Sequence, residues 1–461
     1  MVKKSEVEHI FRAYDIRGIY GKDLNESIML DVGKSFGTFI PKKEAVVSRD
    51  VRQSSLKLRD AFVSGLLSTG KSMEDVGVLP LGAAMFHAWQ NKKYLAYITA
   101  SHLPKEWNGV KFFHSNGVGF SEENNKAIKE IFMDRKFTTS KILGRKSKTD
   151  GTNIIDNCIK YLIKRMKPRK KSKVIIDCGN GCAGMVAPQL FKTAGFKTVV
   201  LYKEPDGNFP NRLPDIIDEE LFVLKADVSK ADFGVAYDGD ADRMAVVDDS
   251  GRTLTPEEAS YIILSELLKT RKGPIIANVE CSRVIDKIAE KFKSKVVRVP
   301  VGHTFLMQAV HKERAVFGVE KSGHYTLPFL FPFDDALAIS YYAACVISRR
   351  EGKLSKLMEE IPKFPFGRFS YACPDSKKFQ VIENIKKKLS AEYKNVNTMD
   401  GVRIDLKNGW VLFRASNTGP VIRLTVEADT LKDFGSIKVD FMKILETEMK
   451  KFGLGLAEEK K

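Results

Sequence analysis

Cysteine is scarce in this sequence. The 461 residues hold six, Cys158, Cys178, Cys182, Cys281, Cys345 and Cys373. Their scatter excludes a small disulfide framework. Cys178 and Cys182 are close, but "DCGNGCAG" has no second Cys/His pair with which to build a zinc site. Reduced thiols in a cytoplasmic protein are the expectation. Long apolar runs are also missing. The most apolar stretch, "LPFLFPFDDALAISYYAACVI", is broken by prolines and by Asp334 and Asp335. It is a poor membrane span and reads as a buried loop followed by a helix. The opening "MVKKSEVEHIFRAYDIRG" has no apolar core like that of a signal peptide. Acidic residues are outnumbered, 58 against 76 basic ones, for a formal charge of +18. Such an excess suits nucleic acid, an anionic membrane surface or a small anionic substrate. No zinc-finger or RNA-recognition signature accompanies it, so neither nucleic acid nor membrane is expected as a partner. The densest basic run, "KRMKPRKKSK" from Lys164 to Lys173, reads as lying within a helix whose solvated end leads into an apolar strand.

The chain is 43% hydrophobic and 29% charged, the range of an ordinary soluble globular protein. Its length suits roughly two to four domains. Short apolar runs alternate with helical patterns, as in "EAVVSRD" then "SLKLRDAFVSGLLSTG", and "SKVIIDCGNG" then "MVAPQLFKTAGF". This is the rhythm of βαβ units in a largely parallel, helix-covered sheet. Boundaries are expected near Gly151, near Gly251 and in the "IPKFPFGRFS" connector. After the second, Thr255 is a candidate helix cap, with Pro256 at the first helical position and Glu258 at the capping-box distance. The last segment, with "GVRIDLKNGWVLFRAS" and "PVIRLTVEA" between two helical patterns, reads as a smaller α+β domain. The three larger segments each send an apolar strand into a polar loop: "YLAYITASH", "FGVAYDGDADR" and "RAVFGVEKSGH". This hints at three related units.

"FGVAYDGDADRMAVVDD" sets Asp238, Asp240 and Asp242 two residues apart between apolar flanks. Burying carboxylates that close is costly unless a cation offsets them, and a hard cation such as Mg²⁺ gathers such oxygens. An EF-hand is excluded, because Arg243 stands where that loop requires glycine. "DCGNGCAG" formally matches G-x-G-x-x-G, with Glu204 at the place of a ribose-binding acid, yet a glycine-rich strand-to-helix turn serves any close packing. "LFRASNTGPVIRLTVEA" offers guanidinium groups and hydroxyls to a phosphate dianion, and equally reads as a polar hairpin turn. "VFGVEKSGHY" offers Glu320, Ser322 and His324 to sugar hydroxyls, or makes a surface turn. His303 in "VPVGHTF" is a packing histidine or a site residue. Ser101 in "YLAYITASHLPKEWNGVKFF" has His102 beside it, but strand neighbours point apart and the G-x-S-x-G elbow is missing. A serine together with a metal loop and arginines suggests phosphoryl chemistry rather than acyl transfer.

Taken together, "FRAYDIRG", "TASHLPKEWNGVKF", "DCGNGCAG", "PDGNFPN", "DGDADR", "EKSGH" and "RASNTGPVIR" resemble, in order, motifs of the α-D-phosphohexomutase superfamily, most closely its phosphomannomutase/phosphoglucomutase branch. The resemblance implies an α/β protein with four domains around a central active-site cleft, three similar mixed-sheet α/β domains and a smaller α+β C-terminal one. Residues 1–150 would carry the phosphoserine loop, 151–251 the metal loop, 252–365 the sugar loop and 366–461 a phosphate site. Ser101 matches the family's phosphorylated serine. Asp238, Asp240 and Asp242 match its Mg²⁺ ligands, joined by a phosphate oxygen on Ser101. Glu320, Ser322 and His324 match the sugar-reading loop, and Arg414, Ser416, Asn417, Thr418 and Arg423 the distal phosphate site. Arg17, Lys111, Arg243 and His303 fall in active-site motifs, and His102 becomes a phosphate or loop contact. Lys111 and His303 are both candidates for the general base. The implied reaction exchanges a phosphoryl group between C1 and C6 of a hexose, with hexose 1,6-bisphosphate as intermediate and activator. The partner is a small phosphosugar, and the protein a monomer or homo-oligomer. Leu103 stands where the family often has Asn, and Gly419 where it often has Glu. Lys321 occupies the variable place of the sugar loop, so mannose, glucose and glucosamine phosphates all fit. In this family "DCGNG" opens the second domain and binds no nucleotide.

Overall fold

The computed structural model describes residues 7–416 and 420–457. The chain forms four α/β domains, each with its own sheet. The first sheet has β1 (Asp15–Ile19), β2 (Glu44–Arg49), β3 (Ser72–Val78), β4 (Tyr94–Ile98), β5 (Trp107–Phe113) and β6 (Lys146–Lys148), in the order β1-β5-β4-β2-β3-β6. The second has β7 (Lys173–Asp177), β8 (Lys197–Leu201), β9 (Phe233–Tyr237) and β10 (Met244–Asp248), ordered β10-β9-β7-β8. The third has β11 (Ile275–Asn278), β12 (Val296–Val299), β13 (Phe317–Val319) and β14 (Tyr325–Thr326), ordered β12-β11-β13-β14.

One pattern recurs in all three. A central strand (β2, β7 or β11) pairs in parallel with the next strand on one side and with a third strand on the other. The third strand then turns back on an antiparallel fourth. The first sheet adds β1 and β6 at its edges. In each unit the loop between third and fourth strands is one of the three polar loops singled out in the sequence. Equivalent topology therefore brings the Ser101, Asp238–Asp242 and Glu320–His324 loops to equivalent strand ends, where open α/β sheets hold their ligands.

The fourth sheet is antiparallel throughout, β15 (Phe366–Ala372), β16 (Val396–Asn397), β17 (Val402–Leu406), β18 (Gly409–Ala415) and β19 (Val421–Ala428), ordered β15-β19-β18-β17-β16. Two helices, Asp375–Glu392 and Leu431–Lys450, pack on it. The first three domains share one continuous apolar cluster, from Leu95 and Tyr97 through Val174 and Tyr237 to Ile262 and Tyr325. The helix Ala336–Ile347 is buried along its whole length within it. The last domain has a separate core around Ile385, Phe413, Leu424 and Phe441. It meets the third domain through a small apolar cluster of Val279, Val301, Trp410 and Leu412, and through polar contacts. Arg403 donates to the Val279 carbonyl, Arg283 pairs with Asp429, and the Val301 amide donates to Asp400.

Local sequence accounts for several element ends. Thr255 caps the helix Pro256–Thr270 in a full capping box with Glu258, as its spacing predicts. The helices Glu26–Phe39 and Ser55–Ser68 touch backbone to backbone at Gly65, where a Cβ would sit 1.9 Å from the Leu30 carbonyl oxygen. The basic run departs from expectation. The helix Gly151–Arg165 ends as the run begins, and residues 166–172 are irregular up to β7. Pro168 explains this, because the residue before a proline avoids helical geometry. All six cysteines are buried, unpaired thiols. Among the described residues, no helix is long and apolar enough to cross a membrane.

Candidate active site

The first loop leaves β4 at Ile98. Ser101 adopts a left-handed backbone, φ +53°, which a non-glycine residue holds only when its surroundings impose it. The imposing group is Arg52, whose side chain is fully buried. Its Nε donates to Asp50 at 3.0 Å. Its two terminal nitrogens donate to the carbonyls of Ser101, Leu103, Pro104 and Trp107. One guanidinium thus fixes the curve of the whole loop. The Ser101 amide donates to Thr99 Oγ1, which in turn lies 2.8 Å from Asp50 and 3.1 Å from Asp240. From the second domain, Gly239 passes so close that a Cβ there would meet the Ser101 carbonyl at 2.7 Å.

The second loop faces the first. Ser101 Oγ donates to Asp238 Oδ2 at 2.8 Å. The other oxygen of Asp238 accepts the amides of Asp242 and Arg243, so the carboxylate shapes its own turn. Asp238, Asp240 and Asp242 are all buried, and each offers a carboxylate oxygen within 4.8 Å of the others. Lys111 Nζ donates to Asp242 at 2.5 Å and to Asp240 at 3.2 Å. Burial opposes the Lys111 charge, yet the two carboxylates hold its pKa above the ordinary lysine value. Burial, then repulsion from Asp242 and Asp240, pushes Asp238 well above the usual carboxylate range. Asp240 Oδ1 is buried and has no hydrogen-bond donor among the described residues. This donor set, all oxygen and with a buried lone pair unmet at Asp240, fits a hard divalent cation.

The third loop supplies Glu320, which accepts from Ser322 Oγ at 2.8 Å, from His324 Nδ1 at 3.0 Å and from the Gly302 amide. These donors overcome burial and hold it at about 2. His324 Nε2 lies 3.3 Å from Asp242, which links the third loop to the second. Against burial, Asp242 and Glu320 raise His324 to about 9. Its ring stacks on His303, centroids 5.3 Å apart, and His303 Nδ1 lies 3.2 Å from the buried Asp334. His102 is pushed well below its ordinary value by burial and then by Arg243 and Arg17, so its imidazole is neutral.

Arg17, His102, Lys111, Arg243, His303, Glu320, Ser322, His324, Arg414 and Arg423 all line one cleft of about 700 Å³. Ser101 and the three aspartates lie buried behind His102, Lys111 and Arg243. Arg17 pairs with Asp15 and Arg414 with Asp400. Ser416 is buried at the end of β18, and Asn417 and Thr418 lie outside the described residues. Lys321 turns to Glu257 at 3.0 Å. Sequence reasoning passed over Tyr14, Glu280 and Arg368, which also line the cleft, and Arg52 and Asp334, which support it. Tyr14 stands inside "FRAYDIRG", so its signal was present. Arg368 sits in a stretch that reads only as a connector.

Four family descriptions match the chain: phosphoglucomutase/phosphomannomutase alpha/beta/alpha domain I over residues 8–139, domain II over 154–251, domain III over 255–364, and the C-terminal domain over 371–444. A probable phosphoglucosamine mutase of Methanopyrus kandleri is 32% identical over 443 residues, which cover 94% of this chain and 97% of that protein. A phosphomannomutase/phosphoglucomutase of Pseudomonas syringae pv. tomato is 32% identical over 439 residues, 93% of this chain and 93% of that protein. The crystal structure of a phosphoglucomutase/phosphomannomutase family protein from Burkholderia thailandensis superimposes with a TM-score of 0.88 at 27% identity, covering 99% of this chain and 100% of that one.

Proposed function

Because the chain belongs to the phosphoglucomutase/phosphomannomutase family of phosphohexomutases, we propose that it interconverts hexose 1-phosphates and 6-phosphates, of mannose or glucose, through a phosphoserine at Ser101 and a bisphosphorylated sugar. The observation that carries this reading is Ser101 Oγ, held 2.8 Å from Asp238 behind a cleft lined with cationic side chains. On this reading residues 1–150 present the phosphoserine, 151–251 the metal loop, 252–365 the sugar loop and 366–461 the distal phosphate site.

Asp238, Asp240, Asp242 and a phosphate oxygen on Ser101 would hold Mg²⁺, which supplies charge neutralisation and orientation at the transferring phosphoryl group. Arg17, Lys111 and Arg243 bind the equatorial oxygens of that group. The free hydroxyl of the sugar attacks phosphorus, the bond from phosphorus to Ser101 Oγ breaks, and a hexose 1,6-bisphosphate forms. After the sugar turns end for end, its other phosphoryl group returns to Ser101 Oγ. Glu320 and Ser322 hold O3 and O4, where glucose, mannose and glucosamine agree. Arg414, Ser416, Asn417, Thr418 and Arg423 hold the phosphate that is not reacting.

The hydroxyl proton goes to His303, whose ring stacks on His324. Lys111 is unsuited to accept it, since its ammonium already serves two carboxylates. His303 Nδ1 lies 3.2 Å from Asp334, and His324 is held between Glu320 and Asp242. A separate core lets the last domain move to admit substrate and exclude water.

The test compares the 1-phosphates of mannose, glucose and glucosamine, with Mg²⁺ and a trace of the matching 1,6-bisphosphate. At least one is converted to its 6-phosphate. Release of inorganic phosphate in place of isomerisation would reject the reading in favour of a phosphatase.

A further inference from the structure

The inner wall of the last domain carries three guanidinium groups in a row. In the sheet register Arg414 on β18 lies directly opposite Arg423 on β19. Arg368 on β15 lies opposite Thr425, two positions along, and so is the diagonal neighbour of Arg423 on the same face. All three line the cleft. Like charges so placed repel, and each needs a counter-ion. Arg414 has Asp400 at 2.8 Å. Arg423 has no acidic partner among the described residues, and burial, then Arg368, lowers its pKa. Arg368 donates from Nη2 to Glu280 Oε2 at 2.8 Å.

Glu280 is an unusual partner. It comes from the third domain, just after β11, and is buried in the cleft wall. Among the described residues Arg368 is the one hydrogen-bond donor to Oε2, and Oε1 is buried without any. The nearest nitrogen of Arg414 stands 3.9 Å from Oε1. A carboxylate that serves purely as a strut is expected to satisfy both oxygens. This one is half satisfied and lies in the cleft wall beside Arg368 and Arg414. The Arg368 side chain is 30% exposed, so it has room to turn.

We propose that Arg368 is a further phosphate-binding residue of this cleft, and that Glu280 holds its place by pairing with it until a phosphate group takes over. The proposal rests on the mutase reading and extends it to two residues. No covalent step is involved. The Arg368 guanidinium exchanges one oxyanion for another, and Glu280 weakens phosphate binding by competing. That suits a reaction in which a bisphosphorylated sugar has to loosen, turn and bind again.

The experiment titrates inorganic phosphate by calorimetry into protein phosphorylated on Ser101 with glucose 1,6-bisphosphate, so that only the distal pocket is open to it. Arg368→Ala is expected to weaken binding about 10- to 100-fold, the loss of one charge-assisted bidentate contact. Arg368→Lys should fall between, keeping charge without the fork. Glu280→Gln is expected to tighten binding by about 3-fold or more, since it removes the competing charge. Opposite signs from the two sides of one ion pair support the proposal. Weakening by both variants, as for a structural strut, or no change with Arg368→Ala, would overturn it. If the unmodified sequence takes up no phosphoryl group, the mutase reading falls, and titration of the unphosphorylated protein decides Arg368 by the same signs.

Discussion

Ser101 Oγ donates to Asp238 Oδ2 at 2.8 Å, although 137 residues separate them. The serine reaches the acidic loop from a left-handed backbone conformation, φ +53°. That conformation is held from below by Arg52 and from the side by Gly239. The serine, the acids and the support for both come from two domains joined by one apolar core.

Ser101→Ala should lose the phosphoryl group that intact-mass analysis finds on the active protein. Mutase turnover should fall by at least about 1,000-fold, because the covalent carrier is gone. Near-normal turnover by this variant would end the phosphoserine assignment.

Asp240→Asn keeps the shape of the metal loop and removes one charge. Turnover is expected to drop about 100-fold or more with KM changed little, since the interaction matters in the transition state. Chelation should abolish activity in the unmodified protein, and added Mg²⁺ should restore it. Activity that survives exhaustive chelation would refute the metal role.

Arg52→Ala strands the buried Asp50 and frees four loop carbonyls. Breaking a buried pair from one side costs about 3–5 kcal/mol. Urea unfolding should register this, and Ser101 phosphorylation should slow. A loss under about 1 kcal/mol would mean that the loop is held by other contacts.

Gly65→Ala tests helix packing far from the cleft. The new Cβ would meet the Leu30 carbonyl at 1.9 Å, so the helices Glu26–Phe39 and Ser55–Ser68 have to part. A loss of about 1–3 kcal/mol is expected, the usual range for overpacking. Activity of the fraction still folded should be unchanged, and a specific loss of turnover at full stability would contradict this.

Glu74 provides a pH-dependent contribution. Hydrogen bonds from His87 and, against burial, from Lys93 and Thr149 hold its carboxyl well below 4.5. The folded state then binds fewer protons than the unfolded one at acid pH. The contribution is full above pH 4.5 and is lost as the pH falls toward the folded value. Glu74→Gln should therefore lower the urea midpoint at pH 7, and the gap should close at acid pH. A gap that stays constant with pH would show that the carboxylate acts by shape alone.

The outline of the fold was legible because its signals are local. Strand and helix periods, the Thr255–Glu258 capping box and the three polar loops each depend on residues close in sequence. Much of the site was legible for a different reason. Motifs such as "DGDADR" gather several chemical groups within a few residues, so proximity is assured before folding. Arg368 and Glu280 illustrate what was not. They are 88 residues apart, each in an unremarkable stretch, and become a pair only where the last domain meets the third.

The sequence by itself determined three α/β units, a smaller α+β last domain, the serine and aspartate loops, and the family to which they point. Tertiary structure alone decided that Lys111 is bound to two carboxylates, that His303 and His324 stack, and that Arg52 bends the serine loop. Local patterning sets which face of an element is apolar. The burial and neighbours of a charged group depend on elements that converge from distant parts of the chain, and those neighbours decide its chemistry.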